Sequence, residues 1–258
     1  MVENLGPAAS GFPANAAAWT GERLYVVTLG LEPAHMAEYD PARREVTSTQ
    51  VIPTGLRCWA MAAVGRDVYI GMWGTRGGEH NLYRFDTVRR TLAGARPVDQ
   101  AYLSMAAAPD GRTLYLGTAR SGVVFAYDLS TRAVRTLTFD DPTGSEVTAL
   151  AVTADTVYVG LGRHRAGLVA IDRSTNAPRH ILPGELAGGV GVYSLAVSEL
   201  LLVAATQAEP ARVAVIDRRT PASYRILEPP GEHAIGATAL DGRNVYFSGI
   251  ASGTLYAM

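Results

Sequence analysis

The chain has 258 residues, of which 48% are hydrophobic and 18% charged, so it contains ample apolar material for a buried core. Its net charge is −1 with no block of like charges, which excludes the basic stripe that a nucleic-acid-binding surface needs. All 23 basic residues are arginine, which excludes a catalytic lysine, and the one cysteine, Cys58, excludes an internal disulfide.

Two predicted strands open each of six repeats along the chain. The first strand is rich in small residues, and the second carries tyrosine at its second position in all copies except the fifth, which has Leu202. The predicted first strands are 16–19, 59–64, 103–108, 148–153, 193–198 and 235–240. The predicted second strands are 24–28, 68–72, 114–118, 157–161, 201–205 and 245–249. Such runs of β-branched and aromatic residues, bounded by turn residues, are typical of short strands.

The third strand of each repeat ends in an aspartate after an aromatic or aliphatic residue. Successive aspartates lie 46, 42, 44 and 45 positions apart, which is a repeat of supersecondary size. The aspartates are Asp40, Asp86, Asp128, Asp172 and Asp217. The third strands are predicted at 35–40, 81–86, 123–128, 167–172, 212–217 and 253–258, and more polar fourth strands at 45–52, 91–98, 134–139, 179–182 and 224–227. Four short strands per repeat indicate the blade of a β-propeller.

We therefore expect an all-β fold, a six-bladed β-propeller with four antiparallel strands per blade, as a single domain over residues 1–258. The predicted blades are about 15–57, 58–100, 101–144, 145–189, 190–232, and 233–258 together with 1–6. The last repeat lacks an outer strand, and we expect the N-terminal strand, residues 1–5, to supply it and remove an open sheet edge. The alternative is a piece excised from a longer seven-bladed or double propeller.

The repeat resembles the bacterial propellers of the YVTN and quinoprotein-like superfamily. The resemblance is carried by an apolar strand with tyrosine, a variable loop, and a strand ending in aspartate before Arg-Ser-Thr or Leu-Ser-Thr. It is clearest at 128–131, 172–175 and 217–220. More loosely, the chain is similar to streptogramin lyase and strictosidine synthase relatives. The resemblance implies the architecture and not an activity, and no catalytic motif of those enzymes matches.

Several motifs have structural interpretations. We predict that the five aspartates cap the turns that follow them rather than bind a metal, and no His or carboxylate pair has a recognised ligand spacing. We interpret the glycines at 74–78 and 160–162 as loop glycines, because they lack the lysine of a phosphate loop. Cys58 is predicted to be a small buried hydrophobe.

The candidate binding face is formed by the loops between second and third strands and by the residues that enter the first strands. These loops vary most among the repeats, and variable loops on a rigid scaffold commonly carry recognition. We predict catalytic roles for His80 and His164, because histidine transfers protons near neutral pH. The predicted substrate-binding residues are Arg57, Trp59, Trp73, Arg76, Tyr102, Arg163, Tyr193 and His233, and Glu146 enters the same face.

The leading functional hypothesis is a small-molecule-binding propeller, an enzyme of the lyase, cyclase or isomerase type. The alternative is a non-catalytic carbohydrate- or protein-binding module, such as one excised from a larger secreted protein, and a quinone-cofactor dehydrogenase is a third hypothesis. The expected partner is a small molecule or a carbohydrate, with no nucleic acid and no membrane, and a monomer is plausible. The sequence names no cofactor. It shows neither a signal peptide nor a membrane-spanning apolar stretch, so we expect a soluble protein, cytoplasmic as given or secreted if a leader was removed.

Overall fold

The computed structural model describes residues 14–28, 33–53, 57–73, 80–119, 122–141, 145–241, 244–250 and 252–258. Among these residues, 23 strands form six antiparallel sheets, and a short 3-10 helix at Gly184–Leu186 is the only helical element. In each sheet the strands pair in chain order. The predicted fold class, an all-β six-bladed β-propeller, is confirmed. The predicted N-terminal closing strand, residues 1–5, lies outside the described residues.

In each of the first three sheets the strands run in chain order from the inner edge to the outer edge of a blade. The first sheet contains β1 (Ala14–Trp19), β2 (Leu24–Thr28), β3 (Ala34–Asp40) and β4 (Glu45–Ile52). The second contains β5 (Arg57–Val64), β6 (Asp67–Trp73), β7 (Leu82–Asp86) and β8 (Thr91–Ala95). The third contains β9 (Tyr102–Ala107), β10 (Thr113–Thr118), β11 (Val124–Asp128) and β12 (Val134–Leu137).

The remaining three sheets follow the same order. The fourth contains β13 (Glu146–Val152), β14 (Thr156–Gly162), β15 (Gly167–Asp172) and β16 (Pro178–His180). The fifth contains β17 (Gly191–Val197), β18 (Leu201–Gln207), β19 (Val213–Asp217) and β20 (Tyr224–Leu227). The sixth has three strands among the described residues, β21 (Ile235–Leu240), β22 (Val245–Gly249) and β23 (Leu255–Ala257).

The chain divides into two compact units. Unit 1 comprises the described residues up to Ala107, together with Gly111–Leu116 and Tyr127–Val134, and unit 2 comprises the rest. Within unit 1, β1 packs on β5 and β5 packs on β9, and within unit 2, β13 packs on β17 and β17 on β21. Inner strands therefore stack on inner strands inside each unit, which explains why these strands are rich in alanine, serine and glycine.

Middle strands supply the hydrophobic cores. In β6, Val68, Ile70 and Met72 are fully buried and belong to a cluster that also contains Tyr25 and Phe85. The two-residue period of these positions places their side chains on one face of the sheet. A fully buried Cys58 joins the same cluster, and burial raises the pKa of its thiol to about 12, so its predicted role as a buried hydrophobe is confirmed.

The aspartates at the ends of the third strands cap the following turns, as predicted. Asp172 Oδ1 accepts hydrogen bonds from the Ser174 hydroxyl at 2.6 Å and from the Thr175 main-chain N–H at 2.8 Å. The Ser174 main-chain N–H also donates to Asp172 Oδ1, at 2.9 Å. In the other four repeats the aspartate likewise accepts hydrogen bonds from the main-chain N–H groups two and three residues later. The turns reverse the chain between third and fourth strands, and the aspartates are structural.

Acid should destabilise the protein through these caps. The hydrogen bonds from Ser174 and Thr175 lower the pKa of Asp172 to about 2, so this carboxylate stabilises the fold above its unfolded pKa of about 4. That contribution is lost as pH falls from about 4 through about 2. We expect the melting temperature of Asp172→Asn to fall less steeply than that of the unsubstituted chain over this range, measured by circular dichroism. Parallel curves of melting temperature against pH for the two proteins would contradict the prediction. Asp128→Asn should behave in the same way, because the pKa of Asp128 is also lowered to about 2.

A β-bulge recurs near the start of the inner strands. In β5, Cys58 pairs with Met72 and Ala60 pairs with Gly71, so Trp59 is the extra residue. In β17 the extra residue is Tyr193, by the same reasoning from register. The other extra residues are Asn15, Thr148 and Gly236. A bulge redirects the side chain of its extra residue, so Trp59 and Tyr193 owe their orientation to this irregularity.

Arginine side chains link neighbouring sheets of unit 2. They lie at the end of the sheets opposite to the bulges, near the turns between first and second strands. Arg218 follows Asp217, and its side chain is mostly buried. Its guanidinium donates to the carbonyls of Ser198 and Glu199 at 2.9 and 2.6 Å, in the turn between β17 and β18 of its own sheet. It also donates to three side chains of the fourth sheet, Tyr158 at 2.9 Å, Thr153 at 3.0 Å and Asp155 at 2.9 Å. Arg173 repeats this contact one sheet earlier, with the carbonyls of Thr153 and Ala154 and with Asp110.

Candidate functional site

Three predicted residues meet where the fourth and fifth sheets adjoin in unit 2. Glu146 begins β13 and pairs in register with Gly162, the last residue of β14. Arg163 follows directly, and Tyr193 is the bulge residue of β17. The ends of three strands therefore bring a carboxylate, a guanidinium and a phenol together. We call Glu146, Arg163 and Tyr193 the loop cluster.

The charges of the loop cluster are paired but remain accessible. Arg163 Nη1 lies 2.7 Å from Glu146 Oε1, and the side chains are 57% and 14% exposed, respectively. The ion pair uses one nitrogen of a guanidinium that carries five N–H donors in a planar fork. Because the Arg163 side chain is more than half exposed, its other donors are available to a ligand from solvent.

Glycines make the space that Tyr193 occupies. A Cβ atom at Gly191 would lie 2.5 Å from the Cα of Gly162 and 2.6 Å from Cε2 of Tyr193. A Cβ at Gly162 would lie 2.9 Å from Cγ2 of Thr148, the bulge residue of the fourth sheet. The strand ends thus approach each other closely only because both positions lack a side chain. Gly160 and Gly162 belong to β14, so the interpretation of them as loop glycines was wrong.

The Tyr193 hydroxyl is a hydrogen-bond donor at neutral pH. Burial raises the pKa of this phenol, and the negative charge of Glu146 raises it further. A hydrogen bond from the main chain of Arg163 and the charge of its side chain act in the opposite direction but do not cancel the rise. The cluster therefore offers a fixed cation, a carboxylate acceptor and a protonated phenol.

The backbone of Arg163 is unusual. Its φ is +85°, in the left-handed region that non-glycine residues rarely adopt. The other non-glycine residues with positive φ in the described part of the chain are Arg44, Arg90, Arg132 and Asn176. Each of those follows a capping aspartate by four residues and belongs to the turn between third and fourth strands. Arg163 stands outside that repeated turn, and strain at an isolated position is a feature of functional sites.

Two further predicted residues of unit 2 are exposed. His164 and Arg165 continue the loop after Arg163, and both side chains are in solvent. His233 is also exposed, and its carbonyl accepts a hydrogen bond from the N–H of Ala208 at 3.1 Å. His164 is thus next to the loop cluster in sequence, while the structure gives His233 a main-chain role.

His80 and Tyr102 belong to unit 1 and have packing partners there. The ring of His80 meets that of Tyr83 edge to face, with centroids 6.1 Å apart, and lies over the backbone of Gly94 in the outer strand β8. Tyr102 is fully buried, and its hydroxyl donates to Asn81 Oδ1 at 3.3 Å. Burial raises the pKa of Tyr102 well above its usual value. Tyr102 is therefore a core residue in this structure.

The remaining predicted residues are described in part. Trp59, on its bulge in β5, has a large exposed surface for a tryptophan, 38%. Arg57 and Trp73 pair with each other through their backbones at the ends of β5 and β6. Arg76 and the side chains of Arg57 and Trp73 lie outside the described part of the chain.

Sequence reasoning identified the three residues of the loop cluster but not what positions them. Gly162, Gly191 and Thr148 were missed as contributors. The signal is present in the sequence as glycines at the end of one predicted strand and just before the next, at 160–162 and 188–191.

Among the described residues, no group of three His, Cys, Asp or Glu side chains is arranged to hold a metal ion. None of the described helical segments has the length and apolar character needed to cross a membrane.

Solved structures with similar folds serve diverse roles. The extracellular domain of a putative one-component system from B. thetaiotaomicron matches with a TM-score of 0.73 and 14% identity, over 99% of this chain and 34% of that chain. Kuenenia stuttgartiensis hydrazine synthase matches with a TM-score of 0.70 and 15% identity, over 95% of this chain and 83% of that chain. The β-propeller domain of Cps50 (Swd1) from Myceliophteria thermophila matches with a TM-score of 0.71 and 13% identity, over 95% and 83%, respectively.

This chain spans about a third of the first of these proteins. No protein-family model and no curated protein sequence matches it. At identities of 13 to 15%, the similarity is one of architecture. The chain is a β-propeller, and this similarity of architecture assigns it no function.

Proposed function

We propose that the chain is a binding protein for small hydroxylated carboxylates, and that the loop cluster is its binding site. Sugar acids are the class of ligand that fits best. The observation that carries the proposal is Arg163, whose strained backbone and single ion pair hold a half-exposed guanidinium at a fixed place. Maintaining such strain costs about 1 to 3 kcal/mol, which a purely solvated side chain would not require.

The carboxylate of the ligand is recognised by Arg163. A guanidinium binds a carboxylate through two parallel N–H donors, and Glu146 occupies Nη1 only. Glu146 also fixes the orientation of the fork before a ligand arrives, which reduces the entropy lost on binding.

The hydroxylated part of the ligand is recognised by Glu146 and Tyr193. The second oxygen of the Glu146 carboxylate can accept a hydrogen bond from a ligand hydroxyl. The ring of Tyr193 offers a flat apolar face of the kind on which a sugar ring packs, with its hydroxyl protonated at neutral pH. A charged group, an acceptor and an aromatic face together favour an acidic sugar over a simple fatty acid.

Turnover of the ligand, as a lyase, cyclase or isomerase would perform, is a further step that binding does not require. His80 packs against Tyr83 and Gly94, which offers no support for a role in proton transfer. His164 is exposed directly beside Arg163 and is the better of the two candidates. Consumption of a bound sugar acid, followed by NMR and stopped by His164→Ala, would establish chemistry at this site.

Glucuronate should raise the melting temperature of the protein in a concentration-dependent way, because a ligand that binds only the folded state stabilises it. Arg163→Gln should weaken this binding by about 10- to 100-fold, the usual value of a charged hydrogen-bonded contact. Thermal shift and isothermal titration calorimetry would measure both effects.

The matched control is Arg165→Gln, which removes the same charge from the same exposed loop. Arg165 has no hydrogen bond or ion pair within the described residues, so its variant should bind glucuronate with nearly unchanged affinity. Glucose, which lacks the carboxylate, should not shift the melting temperature. Equal shifts by glucose and glucuronate, or equal losses in both variants, would exclude the proposed site.

A further inference from the structure

A cavity lies in unit 1, between the second and third sheets. Its volume is about 140 Å³. The residues that matter for its chemistry are Tyr69, Leu82, Arg84, Ala93, Tyr127 and Arg132. An apolar cavity of about 150 Å³ is large enough to hold benzene. The space therefore suits a ligand of that size.

The preceding pair of sheets shows one way in which the equivalent place is filled. There, Arg90 Nη1 lies 2.7 Å from Glu38 Oε2 and also donates to the hydroxyl of Ser48. The guanidinium carbon of Arg90 is 5.7 Å from the centroid of the Phe85 ring. A salt bridge, a hydroxyl and an aromatic ring thus close the space between the first and second sheets.

The repeat aligns these residues with those of the cavity. Arg90 and Arg132 each follow a capping aspartate by four residues and adopt left-handed φ values of 56° and 63°. Glu38 and Arg84 each precede a capping aspartate by two residues. Their partners across the strand pair are Ser48 and Ala93, respectively.

In the second pair of sheets an arginine therefore replaces the glutamate, and an alanine replaces the serine. Arg132 has no hydrogen bond or ion pair from its side chain within the described residues. Arg84 donates from Nε to Asp67 Oδ2 at 2.8 Å, and its two terminal nitrogens have no partner among the described residues. The cavity is thus lined by two arginines. The charge of Arg84 is paired with Asp67 and also acted on by Asp86, whereas the Arg132 side chain has no ion pair among the described residues.

The rest of the lining is aromatic and aliphatic. Tyr69 and Tyr127 both line the cavity, and burial raises the pKa of Tyr69. Leu82 is buried, and Ala93 contributes no bulk. Two guanidinium groups can bind a carboxylate, and a planar guanidinium or a tyrosine ring can pack against an aromatic body.

We propose that this cavity is a binding site for a small aromatic carboxylate of the size of benzoate. The ligand's carboxylate takes the place that Glu38 occupies between the first and second sheets, and its ring fills the space beside Tyr69 and Tyr127. The site shares no residue with the loop cluster, so it is independent of the sugar-acid proposal.

Benzoate and 4-fluorobenzoate are the probes, added to the whole chain and followed by calorimetry and by fluorine NMR. We expect one benzoate per chain, with benzyl alcohol binding at least about tenfold more weakly because it lacks the charge. Arg132→Gln should weaken benzoate binding by about tenfold or more. Arg66→Gln, an exposed arginine of the same unit outside the cavity, should leave it unchanged.

A second variant tests the same idea without removing an arginine. Ala93→Glu places a carboxylate opposite Arg84 in register, as Ser48 lies opposite Glu38, and should abolish benzoate binding while the melting temperature is maintained or raised. Arg163→Gln should not affect benzoate, which separates the two sites. Benzoate affinity unchanged in both Arg132→Gln and Ala93→Glu, or inorganic phosphate binding as tightly as benzoate, would overturn the proposal.

Discussion

Replacing Gly191 by alanine is expected to lower the free energy of unfolding by about 3 kcal/mol, at the upper end of the range for over-packing. The added methyl group would lie 2.5 Å from the Cα of Gly162 and 2.6 Å from the ring of Tyr193. The tyrosine ring can rotate away, but the backbone of Gly162 is held by the register of β13 and β14 and cannot. The strand ends must therefore separate, which loosens the packing of the fourth and fifth sheets.

The matched control is Gly188→Ala, three residues earlier in the same segment. A Cβ atom at Gly188 would have no heavy atom within 4 Å, so we expect a change of less than about 1 kcal/mol. Urea unfolding followed by circular dichroism measures both variants. Because Tyr193 moves, Gly191→Ala should also lose glucuronate binding. Equal stability of the two variants would mean that the close contact of Gly191 and Gly162 does not exist in solution.

Much of the fold could be predicted because its determinants are local and repeated. The capping aspartates fix where each third strand ends, since their hydrogen bonds involve only the next three residues. The predicted ranges 24–28, 45–52, 167–172, 224–227, 235–240 and 245–249 agree with the strands residue for residue. Predicted inner strands such as 148–153 began too late, because the bulge at Thr148 interrupts the two-residue period just after the strand begins.

The candidate sites could be predicted only in part because they depend on contacts between repeats. Topology placed Arg163 and Tyr193 at the same end of their strands, but the pairing with Glu146 depends on side-chain positions that no local pattern encodes. Tyr102 carries the same kind of side chain and enters an inner strand as Tyr193 does, yet it is buried beneath Asn81. The sequence shows that Arg84 stands in its repeat where Glu38 stands in the preceding one. Only the structure shows that Arg84 and Arg132 line the same cavity.

Replacing Arg218 by methionine should lower the free energy of unfolding by roughly 3 kcal/mol, because it removes hydrogen bonds from a charged group to the partly buried Ser198 carbonyl and Tyr158 hydroxyl. Methionine retains most of the aliphatic stem, so the change isolates the guanidinium. The largest part of the cost comes from the Ser198 carbonyl and the Tyr158 hydroxyl, which lose their donor, whereas water can replace the donor at the exposed Glu199 carbonyl.

The ion pair contributes less, although it is the most obvious contact of Arg218. The Asp155 side chain is 71% exposed while that of Arg218 is 11% exposed, and a carboxylate in solvent adds about 0 to 1 kcal/mol. Asp155→Asn should therefore cost less than about 1 kcal/mol, and Arg219→Met, at the exposed next residue, should be close to neutral. Urea unfolding at low and high salt separates these contributions, because salt screens the ion pair but not the hydrogen bonds to carbonyls. If Asp155→Asn were as destabilising as Arg218→Met, the guanidinium would stabilise the fold mainly through its ion pair. The hydrogen bonds of Arg218 to the neighbouring sheet would then not be what links the two sheets.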